Sequence, residues 1–147
     1  MATKRSVILK GSPVVNEDGV CSAEVKPGYL VKGVSAIAHQ TASDRVVPAL
    51  ALERDEIGAG IDNTHQGSGT PSAFYASGDS VKVAVFGAGM EATAYVASGQ
   101  DIQEDELLSS AGDGTFKSEA TAEQAIARAM ETIGAVTATT ALRIQFI

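Results

Sequence analysis

Apolar residues along this chain come in short runs that alternate with polar ones, and the runs are separated by turn-forming residues. Val81-Lys-Val-Ala-Val-Phe86 is the clearest: Val81, Val83 and Val85 share one face and Lys82, Ala84 and Phe86 the other, the two-residue period of a strand. Glu91 to Ala97 repeats that pattern, with Ala92, Ala94 and Val96 against Thr93 and Tyr95, and Leu142 to Ile147 closes the chain in the same way. Shorter strands are predicted at 6–9, 28–31, 34–39, 107–110 and 115–117. Another is predicted at 46–52, where Pro48 is tolerable only on an edge or at a strand start. Gly11-Ser-Pro13, Tyr75-Ala-Ser-Gly-Asp79, Ser98-Gly-Gln100 and Ala111-Gly-Asp-Gly114 supply the turns. Pro27-Gly28 suits the two central positions of a type II turn.

One segment resists the β pattern. Thr121 and Gln124 have the form of a capping box, and the residues that follow are good helix formers, so 121–133 is the single place for a short helix. An internal echo argues the other way. Gly28-Tyr-Leu-Val31, Ala49-Leu-Ala-Leu-Glu53 and the strand at 81–86 follow one another as do Glu106-Leu-Leu-Ser109, Ile126-Ala-Arg-Ala-Met-Glu131 and the strand at 142–147. Leu30 to Glu53 spans 23 residues and Leu107 to Glu131 spans 24. The first copy contains Pro48, which is poorly placed inside a helix, so strand is preferred for 125–131, with helix as the alternative. Two similar β units packed on each other predict a mainly β fold, a small barrel or sandwich, with at most one short helix near 121–133. Residues 1–25 stand apart as an N-terminal arm or edge segment, and 26–147 form a single β-rich domain with a Gly/Ser-rich loop at 58–72.

Composition narrows the function more than the fold. A chain of 147 residues suits one domain with a real core. Cys21 is the sole cysteine, so no internal disulfide is available, and a small apolar role suits it. The net charge of −7, with only Lys4 and Arg5 adjacent among the basic residues, argues against nucleic acid as a partner. No apolar run has the length of a signal peptide or a membrane span, which predicts no membrane partner and a protein made in a cytoplasm. With no Trp and few other aromatic residues, the chain has few anchors for a deep ligand pocket.

Candidate chemistry is sparse. Gly87-Ala-Gly-Met-Glu-Ala92 follows a strand and has the G-x-G-x-x-A form of a dinucleotide fingerprint. What comes after it, Thr93 to Gly99, is β-branched and short, so a hairpin turn is the better reading. His39 and His65 lack cysteine or carboxylate at ligand spacing and read as exposed loop or edge imidazoles, so no metal site is expected. Glu53 to Glu56 and Asp101 to Glu106 are acidic clusters without calcium-loop spacing, best read as solvated faces. Gly-x-Ser-x-Gly is absent and no nucleophile, base and orienting group assemble, so no catalytic residue and no cofactor is expected.

The ordered series Pro27-Gly-Tyr-Leu-Val31, Ala49-Leu-Ala-Leu-Glu53, Ile57-Gly-Ala-Gly-Ile-Asp62, Tyr75-Ala-Ser-Gly-Asp79, Val81-Lys-Val83, Ala97-Ser-Gly-Gln100, Leu107 to Gly114, Ala127 to Glu131 and Leu142-Arg-Ile144 resembles the capsid decoration, or cement, proteins of tailed bacteriophages. The resemblance covers roughly 26–147. It departs at Arg128 and Met130, where small and Leu-like residues are expected. It implies a barrel, jelly-roll or β-tulip fold without catalysis. It also implies binding to the outer surface of the major capsid protein shell as a dimer or trimer at a local symmetry axis, on a virion assembled in the host bacterial cytoplasm. Contacts would then fall on the N-terminal arm, Lys4, Arg5, Val7 and Ile8, and in and beside the long loop, Asp62, Asn63, His65, Phe74 and Tyr75. The rival with the same turn-rich grammar is a phage tail or head-fibre accessory domain, or a receptor-binding β domain.

Overall fold

The computed structural model describes residues 7–39, 47–52 and 75–147. Among these residues there is no helix; all regular structure is β. The strands are β1 (Ile8–Lys10), β2 (Val14–Cys21), β3 (Val31–Lys32), β4 (Ala36–His39), β5 (Ala49–Ala51), β6 (Ser80–Val85), β7 (Glu91–Val96), β8 (Asp101–Ile102), β9 (Leu107–Ser110), β10 (Phe116–Ser118), β11 (Ala127–Ala129), β12 (Gly134–Ala135) and β13 (Thr140–Phe146).

Strands β7, β10, β9, β11 and β13 follow one another in a sheet that closes on itself where β13 pairs back onto β7. The result is a small five-stranded barrel, which leaves no unpaired edge within the ring. Strands β3, β4, β2, β6 and β5 form a second sheet, closed between β3 and β5 by a bridge from Leu30 to Leu50, and around this ring the order β2-β4-β3-β5-β6 matches β7-β10-β9-β11-β13. Each barrel has one parallel pairing, β2 with β4 and β7 with β10; the other pairings in the two rings are antiparallel. The echo seen in the sequence is therefore a repeat of topology, with the described residues between 14 and 86 forming the first barrel and 90–147 the second.

The register of the repeat is that of the sequence spacing. Leu30 pairs with Leu50 and Leu50 with Ala84; Leu107 pairs with Arg128 and Arg128 with Gln145. The turns before the first strand of each set also match. Tyr29 N–H donates to Lys26 C=O at 3.0 Å and Glu106 N–H to Gln103 C=O at 3.2 Å. Gly28 N–H donates to Ala51 C=O and Asp105 N–H to Ala129 C=O, and both residues have positive φ, 87° and 74°. Glycine occupies that conformation without strain, whereas an aspartate is among the few side chains that tolerate it.

Segment 121–133 is settled by the same pairing. Ala122 to Gln124 form a turn, and Ala127–Ala129 lie between β9 and β13. Burial of Ile126, Ala127 and Ala129 outweighs the helix propensity of the segment. Arg128 points away from this core: its Nε donates to Gln145 Oε1 at 2.7 Å and a terminal nitrogen pairs with Asp105 at 2.8 Å. The departure at Arg128 is thus an outward position, polar on the second barrel where the first carries the buried Leu50.

The described part of the N-terminal segment, residues 7–25, is not set apart from the two barrels. Strand β1 pairs with β7 on the flank of the second barrel, and β2, the longest strand, lies between β4 and β6 in the first. One buried cluster joins both barrels and the β1 flank. Phe86 at the end of β6 stacks on Phe146 at the end of β13, with ring centroids 4.7 Å apart. Leu30 N–H donates to Gly114 C=O at 2.8 Å, and Thr93 N–H to Val7 C=O at 2.8 Å. Gly114 has a φ of 90°, and a Cβ there would run into the Tyr29 ring, so only glycine lets the β9–β10 turn approach the first barrel this closely.

Candidate functional site

Aligning the two barrels strand by strand shows that their interiors differ in size. Val85 occupies the place of Phe146, Ile37 that of Phe116, Val83 that of Ile144 and Val31 that of Leu108. Gly19 stands where the second barrel has Ala94: each is the third residue from its strand's end, opposite Val81 and Leu142 respectively. The second barrel is filled, with Phe116, Leu108 and Ile144 fully buried and Phe146 nearly so. The first holds a cavity of about 250 Å³ lined by Asn16, Gly19, Val31, Ile37, Val83 and Val85, with Lys32, Gly33, Val34, Val47 and Ala49 completing the wall. Val34 and Val47, at its mouth, are 73% and 55% exposed. Well-packed interiors hold few voids larger than a water molecule, so a space of this size marks a place where the fold has not filled itself.

Gly19 is needed on its own account. A Cβ there would come within 2.5 Å of the Ile37 side chain, which packs across the strand at that point. Strand β2 also shifts register between Asn16 and Gly19, the mark of a bulge. The sequence offers no warning of this, because Asn16-Glu-Asp-Gly19 has the composition of a turn.

A second cluster lies where the barrels meet. The rings of Tyr29 and His39 are 5.6 Å apart, and Tyr29 meets Tyr95 edge-on at 5.6 Å. Burial, then the carboxylates of Asp113 and Glu24, push the Tyr29 hydroxyl well above its ordinary pKa. Burial pulls the His39 imidazole below its ordinary value, against the opposing pull of Asp113 and Glu24. His39 Nε2 is buried without a hydrogen-bond partner. His39 is therefore a half-buried core imidazole, not the exposed one expected from sequence. Burial disfavours its charged form, which suits packing against aromatic rings.

Of the contact residues expected from sequence, Val7 and Tyr75 are buried. Val7 is fully covered, and the Tyr75 hydroxyl donates to Leu52 C=O at 2.8 Å, so both side chains serve the core and present no surface. Ile8 is partly buried in β1, paired with Ala92. Lys4, Arg5, Asp62, Asn63, His65 and Phe74, the loop 58–72 and the acidic cluster 53–56 lie outside the described residues. The other acidic cluster is a turn closed on itself: the Glu106 carboxylate accepts from Gln103 N–H at 3.1 Å, and Asp105 pairs with Arg128. Gly87-Ala-Gly-Met90 is a turn joining the two barrels and opens a strand, β7, so no helix N-terminus stands there to receive a pyrophosphate. It links strands of different sheets, so the expected hairpin is corrected to an inter-barrel connection. Among the described residues no three His, Cys, Asp or Glu side chains are placed to share a metal ion.

No protein-family model matches the chain, and no curated protein matches it. Among solved structures it is similar to the head fibre gp8.5 N base of bacteriophage phi29, with a TM-score of 0.57 over 92% of this chain and 95% of that one, at 14% sequence identity. What the two share is the fold. The likeness runs over nearly the whole of both chains.

Proposed function

We propose that this chain is a non-catalytic structural protein of a bacteriophage head, attached to the outer surface of the major capsid protein shell. The observation that carries this reading is the near end-to-end fold likeness to the phi29 head fibre gp8.5 N base. The sequence resemblance to capsid decoration proteins points to the same location from a different direction. Two closed barrels sharing one core make a stiff body, and a protein held on a lattice gains affinity from several modest contacts acting together.

Two versions of the reading differ in consequence. A cement protein stabilises the shell; a fibre base binds it and carries something outward. The fold likeness favours the fibre-base version. Cosedimentation of the purified protein with shells of its cognate phage, followed by heating, separates them. Saturable binding with an unchanged shell melting temperature supports the fibre base, and a raised melting temperature with stoichiometry near that of the capsid subunit supports cement. Absence of binding to every shell form, expanded or not, rules out both.

A further inference from the structure

We propose that the cavity in the first barrel is a binding site for one compact, uncharged aromatic group, and that the group is a side chain presented by a partner polypeptide. This inference stands on the cavity and the repeat alone and does not depend on the phage reading.

The second barrel shows what this architecture encloses when it is complete. There the interior is closed by two phenyl rings, Phe116 and Phe146; the first barrel keeps the same strands and places Ile37 and Val85 at those positions. The space left, about 250 Å³, is lined mainly by valine, isoleucine, alanine and glycine, with Asn16 and Lys32 as the polar members. An apolar cavity of about 150 Å³ already admits benzene, so this one has room for a phenyl or an indole. Apart from Lys32 and Asn16 the wall is apolar and would strip a charged group of its hydration, so an uncharged group fits it better, and the phenyl rings at the equivalent places of the second barrel point to a ring.

The mouth argues for a side chain over a free molecule. Val34 and Val47 are 73% and 55% exposed and extend the apolar surface beyond the cavity. A free aromatic molecule inside would leave that collar in water, whereas the backbone and neighbouring residues of a peptide would cover it. A buried aromatic anchor with a surrounding rim that excludes water is the usual arrangement of an interface hot spot.

The test follows valine and isoleucine methyl signals by NMR while the protein is titrated with free indole and, separately, with a blocked Gly-Trp-Gly peptide. Expected are saturable shifts at the methyls of Val31, Ile37, Val83 and Val85 with both probes, the peptide also moving Val34 and Val47. A matched Gly-Ala-Gly peptide should produce none. Val85→Phe, which copies the second barrel, should abolish both sets of shifts and raise the melting temperature. Val34→Glu and Val47→Glu change exposed positions, so folding is kept, and each should weaken the peptide at least tenfold. Absence of saturable shifts, shifts centred elsewhere, or undiminished binding in a folded Val85→Phe protein overturns the site. Binding of indole without the peptide overturns the assignment to a side chain.

Discussion

Truncating Phe146 to alanine should cost far more stability than truncating Val85, although the two occupy the same position in the two barrels. Phe146 is 1% exposed, pairs with Ala127, and stacks on Phe86 at 4.7 Å. Removing a buried phenyl forfeits its transfer free energy and leaves a void, about 3–5 kcal/mol in all. That range includes the ~0.5–1.5 kcal/mol that an aromatic pair contributes beyond area. Val85 already borders open space, so Val85→Ala enlarges a cavity instead of creating one and exposes little new apolar surface. Its cost should be about 1 kcal/mol, from two methyls that are only partly buried. For a domain of this size 1 kcal/mol moves the melting temperature by roughly 2–4 °C, so the pair should separate by about 4–16 °C. Urea unfolding followed by circular dichroism gives both values, with an unchanged m-value as the check that the same transition is compared. Equal costs at the two positions, or a loss below about 1 kcal/mol for Phe146→Ala, would refute the account of one filled and one unfilled barrel.

Three further outcomes are expected. Gly114→Ala places a side chain at a φ of 90° and against the Tyr29 ring, and should destabilise by about 2 kcal/mol or more, read as a lowered denaturation midpoint. Tyr75→Phe removes the buried hydrogen bond to Leu52 C=O and leaves that carbonyl unpaired by the hydroxyl, a loss of about 1 kcal/mol in the same assay. Because burial holds the His39 pKa below its unfolded value, the unfolded chain binds more protons as the pH falls. Its contribution is then fully present above about pH 6.5 and lost as the pH drops through the lowered folded value. The melting temperature of the wild type should decline over that window more than that of His39→Gln, and a His39 titration midpoint at or above 6.5 by NMR would contradict the burial argument.

The strands with strict alternation were legible in the sequence, β6, β7 and β13 above all, and so was the existence of two similar β units. A two-residue period with a buried face leaves one structure available, and a spacing repeated to within one residue carries a register with it. The turn at Pro27-Gly28 was legible for the same local reason, since a proline followed by a glycine suits a positive φ in the second place. The strand β2 was not. Its centre, Asn16-Glu-Asp-Gly19, is polar and turn-like, and the segment is a strand because β6 and β4 hold it from both sides across the barrel. Segment 121–133 is similar: local preference allows a helix, and only the place waiting between β9 and β13 makes it a strand. Val7 and Tyr75 read as surface contacts because one lies in the N-terminal arm and the other beside the long loop; long-range pairing, Val7 beside Thr93 and Tyr75 beside Val25, buries both.

The cavity belongs wholly to the tertiary structure. Every residue that lines it is ordinary in the sequence, and the valine at 85 differs from the phenylalanine at 146 only once closure of the two sheets puts them in equivalent places. Local composition and periodicity determine which segments become strands and which become turns, because those choices depend on the nearest few residues. Whether a closed barrel is full depends on the summed volumes of side chains brought together from five separate strands, and that sum exists only after the chain has folded.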